Sequence, residues 1–88
     1  MSVKVTIHPF LNNGVETQVD MEAHTTGNVI NEILKRIPGT DKKLFQKPGQ
    51  LKGYVEVYVN GKSTYPNELS TPLNDGDAVS VLIFLAGG

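Results

Sequence analysis

The stretch NDGDAVSVLIFL, residues 74–85, decides how this 88-residue chain is built. Its first part is turn chemistry: Asn74, Asp75 and Gly76 bond to their own backbone or accept angles that other residues avoid. Its second part reads as a strand that is apolar on both faces, one set being Val79, Val81, Ile83 and Leu85 and the other Leu82 and Phe84. A strand apolar on both sides belongs in the middle of a sheet. The last strand is therefore expected to insert between earlier ones. This needs a crossover and most simply lays it parallel to the first strand.

The upstream segments supply that sheet. SVKVTIH (residues 2–8) alternates Val3, Val5 and Ile7 against Ser2, Lys4 and Thr6, the two-residue period of a half-buried strand, and Pro9 perturbs or ends it. NNG (12–14) is a turn, and VETQVDM (15–21) continues as a second strand, so the first pair is expected to be a hairpin. In HTTGNVINEILKRIPG (24–39), Thr25 or Thr26 is placed to cap a helix that carries Val29, Ile30, Ile33, Leu34 and Ile37 on one face, and Pro38-Gly39 stops it. YVEVYVNGK (54–62) alternates Val55, Val57 and Val59 with Tyr54, Glu56 and Tyr58 before the tight-turn pair Asn60-Gly61.

Between helix and third strand, TDKKLFQKPGQLKG (40–53) shows no period; it is expected to be a partly irregular crossover with Leu44, Phe45 and Leu51 tucked under the domain. The predicted class is α+β: a small mixed sheet of four to five strands with one main helix packed on one face, the β-grasp or ubiquitin-like arrangement. Residues 1–85 form the domain, and 86–88 form a flexible diglycine tail.

Composition excludes much chemistry. The chain has no cysteine, so disulfides, thiolate metal sites and cysteine nucleophiles are absent. His8 and His24 are isolated and read as solvated loop or strand residues; no metal site and no catalytic constellation is expected. No segment is long enough for a membrane span and the start lacks a secretory core, so a cytoplasmic location is the expectation, and the free chain is expected to be a monomer. Within a formal net charge of −1, Lys35, Arg36, Lys42, Lys43, Lys47 and Lys52 gather in one segment. They form either a solvated charged loop or a docking patch for an acidic or phosphorylated partner. Nucleic acid is a poor fit because no aromatics interleave with these lysines.

The closing stretch TPLNDGDAVSVLIFLAGG resembles the end of the MoaD/ThiS family of ubiquitin-like sulfur carrier proteins. The matching residues are Leu73, the Gly76-Asp77 turn, the apolar run 79–85 and the terminal Gly87-Gly88. The resemblance extends through VTI, the helix and VYVNGK. LFQKPGQLKGYVEVYVNG is most similar to the carrier of thiocarboxylate-dependent cysteine biosynthesis.

That resemblance implies a protein that binds no cofactor and is not itself an enzyme. A ubiquitin-activating-type enzyme would use ATP to adenylate the Gly88 carboxylate, which then takes sulfur from a donor as a thiocarboxylate. Ala86 and Gly87 would thread the tail into that enzyme, glycine being needed where a Cβ would widen the strand. The implied acceptors are a pyridoxal-phosphate cysteine synthase or the large subunit of molybdopterin synthase, with a JAMM-type metalloprotease as a further partner. The alternatives are the small subunit of molybdopterin synthase, a ubiquitin-like modifier conjugated through Gly88, and a plain β-grasp interaction domain.

A docking face follows from the strand period alone. If Val55, Val57 and Val59 face the helix, Tyr54, Glu56 and Tyr58 face away. One set of the last strand, either Val79, Val81, Ile83 and Leu85 or Leu82 and Phe84, must share that open face, giving an apolar patch beside the tail, and Tyr54, Tyr58, Leu82 and Phe84 are its candidate residues. The competing expectation is that the crossover shields them.

Overall fold

The computed structural model describes residues 2–84. Strand β1 (Ser2–Ile7) sends Val3, Val5 and Ile7 into the core and pairs antiparallel with β2 (Thr17–Glu22) in the register Ser2↔Glu22 to Ile7↔Thr17. Between them Pro9–Leu11 forms a 3-10 turn, and the positive φ angles of Asn13 and Gly14 complete the reversal. Proline suits this turn because its fixed φ fits the first helical position.

Helix α1 (Thr26–Arg36) starts at a capping box. The Thr25 hydroxyl accepts from the Asn28 N–H at 3.2 Å, and the Asn28 side-chain oxygen accepts from the Thr25 N–H at 3.2 Å. Such a cap contributes about 1 kcal/mol. Val29, Ile30 and Ile33 are fully buried, Leu34 and Ile37 pack at the margin, and the helix ends before Pro38-Gly39 as expected.

The crossover is more ordered than its sequence suggests. Residues 40–44 form a short helix α2 (Thr40–Leu44), followed by a small hairpin of β3 (Phe45–Lys47) and β4 (Gln50–Leu51) that turns at Pro48-Gly49. Leu44 is fully buried, and Phe45 and Leu51 pack against the core. One and a half helical turns and strands of two or three residues are too short to print a period.

Strand β5 (Val55–Val59) turns at Asn60-Gly61, both with positive φ, into the two-residue β6 (Lys62–Ser63). The long connection that follows is pinned to the start of α1. The Thr26 N–H donates to the Thr71 carbonyl at 2.9 Å, the Thr71 N–H donates to the buried Thr26 hydroxyl at 3.1 Å, and the Leu73 N–H reaches the His24 carbonyl at 2.9 Å.

Strand β7 (Ala78–Ile83) then enters the sheet in the order β2-β1-β7-β5-β6. It lies parallel to β1 and antiparallel to β5, the central placement that its two-sided apolar sequence demands. Val79, Val81 and Ile83 join Val3, Val5, Ile7, Val55 and Val57 under α1 in one core. The fold is α+β, a mixed five-stranded sheet with one main helix.

Candidate functional site

The end of β7 is positioned at its start. Gly76 has φ +86, and its N–H donates to the Ser2 carbonyl at 2.8 Å, while the Asp75 carboxylate accepts from the Ser2 N–H at 2.9 Å. Asp77 accepts from the Asn74 N–H at 2.8 Å through one oxygen and from the Asn60 side-chain amide at 2.9 Å through the other. Those bonds, the Asn74 one foremost, hold its carboxyl below the ordinary aspartate value. Asn60 also accepts from the Ala78 N–H at 2.9 Å, so the Gly-Asp turn locks β7 to both neighbours before the strand begins.

Because Val79, Val81 and Ile83 face the core, Leu82 and Phe84 fall on the helix-free face. Leu82 lies opposite Glu56 and is half-buried. Phe84 is 53% exposed, so the crossover does not cover it, and its N–H donates to the Tyr54 carbonyl at 2.8 Å. The Phe84 ring meets Tyr58 edge-on, with centroids 6.3 Å apart. Three of the four expected patch residues, Tyr58, Leu82 and Phe84, thus lie together where β7 ends.

Tyr54 has other partners. Its hydroxyl donates to the Lys43 carbonyl at 3.3 Å, its ring meets Phe10 at 6.4 Å and 87°, and the Lys52 ammonium lies 5.9 Å from its centroid. The Lys43 ammonium stands 5.5 Å from the Phe10 centroid and donates to the Phe10 carbonyl at 3.1 Å. Sequence reasoning did not find Phe10. Its only signal was an aromatic directly after the strand-ending Pro9.

Gly88, Gly87 and Ala86, the expected sulfur-attachment and threading residues, lie outside the described residues, as does Leu85. Among the described residues no group of three or more His, Asp or Glu side chains is gathered as metal ligands would be, and no helix is long and apolar enough to cross a membrane.

Residues 8–88 match the ThiS family. CysO, a sulfur carrier protein of Mycobacterium tuberculosis, is 32% identical over 93 aligned residues covering all of both chains. Its crystal structure superimposes with a TM-score of 0.75 at 28% identity, covering 94% of this chain and 99% of that one. The Amycolatopsis orientalis BexX/CysO complex holds a chain similar at TM-score 0.74 and 26% identity, covering 96% of this chain and 99% of that one. Small archaeal modifier protein 3 of Haloferax volcanii is 36% identical over 72 residues, 81% of this chain and 76% of that one.

Proposed function

The chain belongs to the ThiS family of ubiquitin-like sulfur carriers, and we propose that it carries sulfur as a thiocarboxylate on Gly88. The observation that carries this reading is a family match that spans residues 8–88 and so includes Gly87-Gly88. A carboxylate is a poor electrophile, so it first attacks the α-phosphate of ATP inside a partner enzyme, expelling pyrophosphate. A sulfide-level nucleophile then attacks the acyl carbon and AMP leaves with the bonding electrons. The chain has no cysteine, so no side chain of its own forms a persulfide.

The fold supports this work by rigidity and placement. β7 is bonded on both sides and ends beside the helix-free face that carries Tyr58, Leu82 and Phe84. An adenylating enzyme of the ubiquitin-activating type has that face to grip while it draws the tail inward. The resemblance of residues 44–61 to the carrier of cysteine biosynthesis favours a cysteine-forming acceptor.

Intact-mass measurement tests the reading after incubation with ATP, a competent activating enzyme and a sulfide source. The expected gain is the difference between one sulfur and one oxygen, confined to the C-terminal peptide. An unchanged mass, with the activator working on another carrier, overturns it. The similarity to small archaeal modifier protein 3 favours a second reading, conjugation to lysines through Gly88, for which adducts in place of a thiocarboxylate are the signature.

A further inference from the structure

Phe10 is 41% exposed, yet it is held in place. Its N–H donates to the His8 imidazole Nδ1 at 3.0 Å, its neighbour Leu11 is buried, and its ring stands perpendicular to Tyr54. Lys43 and Lys52 add two ammonium groups, one against each ring. The Tyr54 hydroxyl bonds back to the Lys43 carbonyl and ties the rings to the crossover helix.

We infer that Phe10, Lys43, Tyr54 and Lys52 form a docking surface for a carboxylate-rich segment of a partner protein. The groups that hold these lysines are neutral, ring faces and a carbonyl, and bring no negative charge of their own. Among the described residues neither Lys43 nor Lys52 stands at ion-pair distance from a carboxylate, whereas Arg36 is paired with Glu32. The acidic residue of the same helix, Asp41, lines the groove on the α1 side together with Lys42.

The ring contacts and the Phe10 carbonyl place both ammonium groups before a partner arrives, which lowers the cost of ordering them on binding. Charge complementarity therefore points to an acidic protein segment. A nucleic-acid strand is disfavoured by the overall charge of −1 and by rings packed edge-on instead of opened as a stacking platform. Because Tyr54 also accepts the Phe84 N–H, this surface adjoins the end of β7, where an enzyme handling the tail approaches. The inference rests on the carrier reading for that direction of approach alone.

The test is a titration of the isotope-labelled chain with hexaglutamate, followed by amide NMR. Saturable shifts at Phe10, Lys43, Lys52 and Tyr54 are expected, disappearing in about 0.5 M salt and weakening at least about threefold in the Lys43→Gln/Lys52→Gln variant. Lys35→Gln/Arg36→Gln should leave them unchanged. The thermal midpoint of each variant confirms folding. No saturable shift, equal loss in both variants, or stronger perturbation by an oligothymidylate strand overturns the inference. Thiocarboxylate formation, read by mass on the same samples, fails or succeeds independently of this result.

Discussion

The ring of Phe84 stands at 66° to that of Tyr58 with 6.3 Å between centroids, on the sheet face that α1 does not cover. Such an edge-on pair contributes about 0.5–1.5 kcal/mol, so Phe84→Ala should cost about 1 kcal/mol of stability, less than a core truncation. At a partner interface the same truncation removes an anchor and should cost about 2 kcal/mol or more, roughly thirtyfold in affinity. Denaturation midpoints and affinity for the activating enzyme, measured on Phe84→Ala and Tyr58→Ala, compare the two. A stability loss of about 3 kcal/mol with unchanged affinity would show that the pair serves packing instead.

The tail makes the opposite test. Deleting Gly87-Gly88, or extending the chain beyond Gly88, should abolish activation and leave the thermal midpoint nearly unchanged, because glycine has no side chain to contribute to a core. Normal activation of an uncleaved extension would exclude the carboxylate as the reactive group.

Asp77 should contribute to the acid response of the fold. Its folded pKa is lowered by the Asn74 N–H and then by Asn60, so the group is more acidic in the folded chain than in the unfolded one. The stabilisation is complete above the unfolded value near about pH 4 and is lost as pH falls toward and through the lowered folded value. Acid denaturation curves of the native chain and Asp77→Asn should therefore differ fully above about pH 4 and converge only as pH falls through the lowered folded value. Parallel curves across the whole range would remove Asp77 from the acid response.

Much of this architecture is legible in the residues. The alternation in β1 and β5, the Thr25 cap and the two-sided apolar run of β7 each carry a period or signature that tertiary contacts reinforce. Alternation also narrowed the open-face set in β7 to two choices, and burial of Val79, Val81 and Ile83 leaves Leu82 and Phe84. The tucking of Leu44, Phe45 and Leu51 was legible, but the secondary structure of the crossover was not, because α2, β3 and β4 are each too short for periodicity and are ordered by burying Leu44 and by backbone bonds such as Lys52 N–H to Leu44 carbonyl at 2.8 Å. The Phe10–Tyr54 contact joins residues far apart in sequence, and no local pattern announces it.

Gly27 shows the same limit of local reasoning and yields the sharpest stability prediction. It lies in the first turn of α1, where propensity alone favours alanine by up to about 1 kcal/mol. Its φ is ordinary for a helix, so backbone strain gives no reason for glycine here. The reason is the connection after β6: a Cβ on Gly27 would collide with the Leu69 carbonyl oxygen, a backbone atom that cannot rotate away. The Thr26–Thr71 bonds hold that loop against the helix and limit its retreat. Gly27→Ala should therefore destabilise the fold by about 1–3 kcal/mol, the usual range for overpacking, reversing the sign that helix propensity assigns. Urea unfolding of Gly27→Ala beside an exposed control, Asn31→Ala, separates the two effects; a midpoint at or above that of the native chain would mean that the loop yields and the close approach is not structural.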